Sequence, residues 1–138
     1  MTTMPQQRRT LSTSTGAAHS RIWGVGGYRP ERVVTNDEIC EHIDSSDQWI
    51  RERSGIITRR YAAPEETVVD MASAAAREAL RSAGLTASQI STVIVATVTH
   101  PYQTPGAAPM VADSIGATGA VAFDISAACA GYCHGIAL

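Results

Sequence analysis

The sequence lacks several things, and each absence removes a class of protein. No run of about 20 apolar residues occurs, so no segment reads as a membrane-spanning helix. Basic charge is not in excess: 11 Lys and Arg stand against 13 Asp and Glu, a formal net charge of −2. A protein that displaces counterions from a phosphate backbone needs a basic face, so this balance argues against nucleic-acid binding. No internal repeat is visible, which argues against a repeat architecture. The first residues, Met1 to Ser20, are rich in Thr, Ser and Gln and include Arg8 and Arg9, but hold no apolar core of signal-peptide length. The cysteines are only three, Cys40, Cys129 and Cys133. An odd number without an export signal fits reduced thiols and a cytoplasmic protein better than a disulfide framework.

What is present is a folding composition. Hydrophobic residues make up 44% and charged residues 17%, which is not the balance of a disordered tail. The 138 residues suit one domain at most, or a piece of a larger one. The sequence stops at Gly135-Ile136-Ala137-Leu138, inside an apolar, Ala-rich run with no polar exit, and reads as truncated.

Helix and strand signals alternate along the chain. Residues 1–20 read as a flexible leader. Arg21 to Gly27 reads as a strand running into a glycine turn, and Tyr28-Arg29-Pro30 leaves it extended. Thr35 to Glu38 and Ser45 to Gln48 each read as a capping box. The first opens a short helix with Ile39, Cys40 and Ile43 on its apolar side. The second opens a helix through Trp49 and Arg53 that ends at Gly55. Ile56 to Tyr61 is strand-like or irregular. Thr67 to Asp70 begins the longest helix, with Met71, Ala75, Ala79 and Leu80 at helical spacing and a stop at Gly84. Thr92 to Val98 is a β-branched run that predicts a strand buried on both faces, as in a parallel sheet. Gly106 to Ile115 is a small-residue helix, Ala120 to Ile125 a second buried strand, and Ala130 begins another helix. The alternation predicts an α/β layered fold.

Cys129 falls where the second buried strand hands over to this last helix. A thiol at a helix N-terminus faces unpaired backbone N–H groups, which favour the thiolate. Ala127, Ala128, Ala130 and Gly131 keep its surroundings small, so an acyl chain could approach. The carboxyl end of a parallel strand is also where open α/β sheets place their sites. A lone Cys among alanines reads equally as a small buried hydrophobe.

The stretch Ala127-Ala128-Cys129-Ala130-Gly131-Tyr132 resembles the active-site motif of the β-ketoacyl-acyl-carrier-protein synthases III. The likeness runs from Ile22 to Leu138. It includes Trp23 to Pro30, Asp44 to Ile50, Arg53 to Ile56, Ala62-Ala63-Pro64, Glu66-Thr67 and Ala122-Phe123-Asp124. A biosynthetic thiolase sets its nucleophile in an Asn- and Ser-containing context, which is absent here.

The resemblance implies a thiolase-like five-layer α-β-α-β-α fold, of which residues 21–138 would be an incomplete N-terminal half. It implies homodimers. It also implies a ping-pong acyl transfer that initiates fatty-acid synthesis. An acyl-CoA primer acylates Cys129 and CoA leaves; malonyl-acyl-carrier protein then decarboxylates and its carbanion attacks the acyl-enzyme. Acyl-CoA would be a substrate and no cofactor is required. Trp49 and Arg53 match residues on either side of the CoA adenine, and Ser45 a hydroxyl that hydrogen-bonds the nucleotide. Their i, i+4 spacing puts Trp49 and Arg53 on one helix face, where an indole and a guanidinium can clamp a flat ring or simply pack together. Thr104 matches the residue that walls the partner subunit's acyl pocket; its small size leaves room for longer or branched primers.

The family's His and Asn fall beyond residue 138. His134, five residues after Cys129, should point away from it, and His100 does not match the family's catalytic base. Cys129, Cys133 and His134 lack the second ligand pair that a zinc site needs. The chain alone would then be inactive. The alternatives are an inactive remnant, a CoA- or partner-binding fragment, or a priming synthase of a polyketide pathway.

Overall fold

The structure, a computed structural model, describes residues 19–138. The leader expected over 1–20 lies, up to residue 18, outside the described residues. The described chain runs β1 (Arg32–Thr35), α1 (Asn36–Cys40), α2 (Asp47–Ser54), β2 (Thr58–Tyr61), α3 (Val68–Ala83), β3 (Thr92–Ala96), α4 (Ala107–Ile115), β4 (Val121–Ile125) and α5 (Gly131–Ala137). Short 3-10 turns at Ala87–Gln89 and Ala128–Ala130 precede β3 and α5. β1 and β2 form an antiparallel pair, Val34 opposite Arg59. β3 and β4 form a parallel pair, Ile94 opposite Phe123, joined through α4 as a right-sized crossover. The chain is α/β, as the alternation predicts.

The helix ends follow the sequence closely. Thr67 and Asp70 close a reciprocal capping box on α3: Thr67 N donates to Asp70 Oδ2 at 3.0 Å, and Asp70 N donates to Thr67 Oγ1 at 3.2 Å. Gly84 then ends the helix at φ 67°, in the left-handed region that glycine enters without a Cβ penalty. Two details differ from expectation. At α1 only half the box forms, because the Glu38 carboxylate pairs with Arg32 and leaves the Thr35 hydroxyl to cap alone. At α2 the cap is Ser46, one residue later than expected; its Oγ accepts Trp49 N at 3.2 Å.

Two larger expectations are corrected. Arg21 to Gly27 is extended but pairs with no strand. It lies instead along α3, backbone against backbone. A Cβ on Gly24 would come within 2.6 Å of the Ala79 carbonyl oxygen, and one on Gly26 within 2.2 Å of that of Ala75. Those glycines serve a helix contact rather than a turn. The second correction is burial. Val93, Ile94 and Val95 are half-buried, while Val121 and Phe123 remain 64% and 40% exposed. Among the described residues no further layer covers that pair of strands.

The apolar core sits around α4. Ala107, Ala108, Val111, Ala112 and Ala117 are buried, and α4 packs against α3, on which Ser73 is also buried. Small side chains allow this close helix approach. A second, polar centre fixes β1, α1, α2 and β2. Asn36 is 1% exposed; its amide donates to Asp47 Oδ1 at 2.7 Å and to the Ile56 carbonyl at 2.8 Å, and its Oδ1 accepts from Arg59 at 2.6 Å. A buried amide with its bonds made is a strong orienting element, because breaking any of them strands a desolvated group.

Two carboxyls, one exposed (Asp70) and one half-buried (Asp47), titrate below the usual aspartate range. Asp70 is held there by the Thr67 hydroxyl and then the Thr67 N–H. Asp47 is held there by Arg51 and then by Asn36. A depressed folded-state pKa means that the stabilisation is complete above the ordinary value of about 3.9 and is lost as pH falls through the lowered one. Denaturant midpoints of the protein carrying this chain should therefore fall on acidification below about pH 4. Asp47→Asn and Asp70→Asn should each flatten that fall; unchanged pH profiles in both variants would contradict the assignment.

Candidate active site

Cys129 occupies the 3-10 turn between β4 and α5, at the carboxyl end of the parallel pair. The turn is sharp. Ala128 sits at φ 44°, the one non-glycine residue with positive φ among the described residues. An alanine in that region costs on the order of 1–2 kcal/mol, and such outliers concentrate where function fixes a side chain. The consequence is that the Cys129 side chain is presented outward and is exposed. Behind it, Gly131 is buried; a Cβ there would stand 3.1 Å from the Ala96 Cβ. The missing side chain lets α5 approach the end of β3 closely.

A carboxylate anchors the strand that leads into this turn. Asp124 of β4 accepts the Ala107 N–H at 2.7 Å and the Ala108 N–H at 2.6 Å. It caps α4 from another element, because the helix's own cap, Gly106, offers no side chain. A Cβ at Gly106 would lie 2.7 Å from Asp124 Oδ2, so a larger residue there would have to displace that carboxylate. Sequence reading placed Asp124 inside the family-like motif but gave it no role. The available signal was a helix start with no Ser, Thr, Asp or Asn at the cap.

The expected CoA-facing residues form a separate cluster. Arg53 lies over the Trp49 ring with its guanidinium carbon 5.7 Å from the centroid, across one helical turn. Trp49 is 56% exposed, so the pair does not close on a packed neighbour. Ser45 and Trp49 line one open hollow of about 520 Å³ with Ile43, Asp44 and Ser46. The Ser45 hydroxyl oxygen is buried and has no hydrogen-bond partner among the described residues, a polar group on the wall of that hollow. Cys129 and Thr104 do not line it.

Thr104 is exposed on the loop from His100 to Pro105, and its peptide bond to Pro105 is cis. His100 is turned back within that loop: its Nε2 lies 3.2 Å from the Pro105 carbonyl oxygen, and its ring meets Tyr102 edge-on. His134 and Cys133 are exposed on α5. Among the described residues no three His, Cys, Asp or Glu side chains gather as a metal site requires, and no helix is long and apolar enough to cross a membrane.

The chain is 56% identical over 128 residues to the β-ketoacyl-[acyl-carrier-protein] synthase III of Kocuria rhizophila. It is 59% identical over 122 residues to the mycobacterial β-ketoacyl-[acyl-carrier-protein] synthase III of Mycobacterium tuberculosis. These matches cover 93% and 88% of this chain. The chain resembles the N-terminal part of these synthases. The chain spans about 36% of the length of these synthase III relatives, and solved structures place the match in their N-terminal part. The 3-oxoacyl-[acyl-carrier-protein] synthase III of Aquifex aeolicus superposes with a TM-score of 0.80 at 43% identity, over 84% of this chain and 37% of that one. The priming β-ketosynthase of the R1128 polyketide biosynthetic pathway superposes at 0.81 and 47%, over 84% and 35%. No protein-family model matches. The fold is thus the N-terminal part of the thiolase-like fold of the synthases III.

The strained turn gives a direct check. Ala128→Gly should change stability by less than about 0.5 kcal/mol, since relief of strain offsets the extra freedom of the unfolded glycine. Ala128→Val should cost about 2–3 kcal/mol, because a β-branched residue resists positive φ most. Urea denaturation of the protein carrying each variant measures both; equal costs would show that the turn is not strained.

Proposed function

We propose that this chain is the nucleophile-bearing part of a longer β-ketoacyl-acyl-carrier-protein synthase III, an acyltransferase that starts fatty-acid synthesis. The observation that carries this reading is Cys129 itself: an exposed thiol on a strained turn at the carboxyl end of a parallel strand, within the motif the family resemblance rests on. The Cys129 thiolate attacks the thioester carbonyl of an acyl-CoA. A carbon–sulfur bond forms to Cys129, and the CoA thiolate leaves. Malonyl-acyl-carrier protein then loses carbon dioxide, its carbanion attacks the acyl-cysteine, and the Cys129 thiolate departs. The His and Asn that the resemblance requires for the thioester oxygen and decarboxylation belong to sequence beyond residue 138, so the 138 residues alone do not condense.

Trp49 and Arg53 would hold the adenine between them, and the buried Ser45 hydroxyl would hydrogen-bond the nucleotide. Thr104 would wall the acyl pocket of the partner subunit in a cytoplasmic homodimer. Residues 21–138 would form the incomplete first half of the domain, with 1–20 as a leader. No metal or resident cofactor enters this scheme. A second reading, priming of polyketide assembly, is favoured by the likeness to the R1128 priming β-ketosynthase.

In the full-length protein, Cys129→Ser should abolish transfer of a radiolabelled acyl group from acyl-CoA to protein. Trp49→Ala should raise the KM for acyl-CoA about tenfold, for a lost stacking contact of about 1–1.5 kcal/mol, with kcat little changed. Labelling that survives Cys129→Ser would overturn the proposal.

A further inference from the structure

Two thiols lie one turn apart where β4 gives way to α5. Cys129 sits in the 3-10 turn Ala128–Ala130, and Cys133 in the first turn of α5. Both are free and exposed. The backbone between them is a continuous right-handed spiral. Ala130 (φ −80°, ψ −12°) and Gly131 (φ −55°, ψ −40°) are both right-handed helical, and Gly131 N donates to the Ala128 carbonyl. Residues four apart on such a spiral have Cα atoms about 6 Å apart and Cβ atoms about 5–6 Å apart. A disulfide takes Cα separations of about 4.4–6.8 Å and Cβ separations of about 3.5–4.5 Å. The Cα spacing is therefore within range, and the Cβ atoms need to close by about 1–2 Å. The start of α5 yields readily. Its cap, Ala130, makes no side-chain hydrogen bond, and its seven residues include Gly131 and Gly135. Such a turn opens at lower cost than the side-chain-capped first turns of α2 and α3. The third thiol, Cys40, is half-buried on α1, which carries no second cysteine.

We propose that Cys133 is the resolving thiol of Cys129, so that a hydroperoxide converts the pair to a Cys129–Cys133 disulfide that masks the nucleophile and is reopened by dithiols. The Cys129 thiolate attacks the terminal oxygen of the hydroperoxide. A sulfur–oxygen bond forms, the oxygen–oxygen bond breaks, and the hydroxide or alkoxide that leaves takes up a proton. The Cys133 thiolate then attacks the Cys129 sulfur. The sulfur–sulfur bond forms, the sulfur–oxygen bond breaks, and hydroxide departs as water after taking a proton. The peroxide is reduced by two electrons and the two thiols together are oxidised by two. A dithiol restores both thiols by exchange and leaves as its own disulfide. Only Cys129 has to meet the peroxide, because the second step is intramolecular. Without Cys133, the sulfenic acid on Cys129 is open to further oxidation that does not reverse. The thiol chemistry is independent of the acyl-transfer function; its consequence, that the disulfide halts acylation, rests on that function.

The test uses the full-length protein, reduced and then exposed to hydrogen peroxide, with the variants Cys133→Ser, Cys133→Ala and Cys40→Ser. The readouts are the state of each cysteine by mass spectrometry after iodoacetamide, trapping of sulfenic acid by dimedone, and transfer of a radiolabelled acyl group from acyl-CoA before and after dithiothreitol. In the unaltered protein, the peptide bearing both thiols should be lighter by two hydrogen atoms and should take up iodoacetamide at neither Cys129 nor Cys133. Acylation should fall about tenfold and return to within about twofold of its starting rate once dithiothreitol is added. Cys133→Ser and Cys133→Ala should acylate at the unaltered rate before peroxide. After it they should take up dimedone at Cys129 and pass on to the sulfinic acid, with acylation still down about tenfold after dithiothreitol. Cys40→Ser should behave as the unaltered protein does. Absence of the Cys129–Cys133 link, a link from Cys129 to any other cysteine in its place, or full recovery of the Cys133 variants overturns the proposal. Failure of the unaltered protein to acylate before peroxide counts instead against the acyl-transfer function, and the mapped link still decides the disulfide.

Discussion

The rest of this structure depends on a carboxylate that serves a helix it does not belong to. Asp124 lies on β4, and the N–H groups it satisfies lie on α4. A helix that begins with glycine and alanine has no means of covering its own first amides. Those amides are buried here, where an unmet donor costs on the order of 1–3 kcal/mol. The strand supplies what the helix lacks, and so the crossover between the two parallel strands is pinned at its start. The buried alanines of α4 then settle against α3, and β4 arrives at the turn around Cys129 with its direction already fixed.

The nucleotide-facing cluster has an independent anchor of a different kind. Asn36 draws together α1, α2, the Ile56 carbonyl and Arg59 through one amide. Asp47 receives that amide and the Arg51 guanidinium as well, so the first turn of α2 is held from two sides. Trp49 and Arg53 ride on this helix, one turn apart. The molecule thus keeps its two proposed working surfaces on separate supports, an apolar one beneath Cys129 and a polar one beneath Trp49. Gly24 and Gly26 run along α3, and the bond from Gly27 N to Glu78 joins the segment to that helix.

Much of this was legible in the residues. Thr67, Asp70 and Gly84 bracket α3 by local chemistry alone, and Gly55 and Gly116 end α2 and α4 in the left-handed conformation that favours glycine. Local rules sufficed because each partner lies within a few residues of the other. They failed where the partner is distant. Arg21 to Gly27 has the composition of a strand, yet its neighbour is a helix more than 45 residues away. Ser45 and Ser46 are indistinguishable by type, and only the backbone geometry selects Ser46 as the cap. The family motifs located Cys129, Trp49 and Arg53, but the motif containing Asp124 carried no hint of its bonds, because a carboxylate on a strand says nothing about which helix it will face.

Val121 and Phe123 stand open on β4, and among the described residues no strand pairs with either outer edge of the parallel pair to which they belong. A strand edge in that condition is a template for any other extended chain. If the chain is, as proposed, the first part of a longer synthase, this stretch emerges during synthesis at roughly 5–20 residues per second, before the later part could lie down upon it. On that reading the growing polypeptide passes through an interval in which its adhesive surface is complete and its cover is not. Translation speed and chaperone supply, rather than the final energy of the native state, would then govern how much of it escapes aggregation.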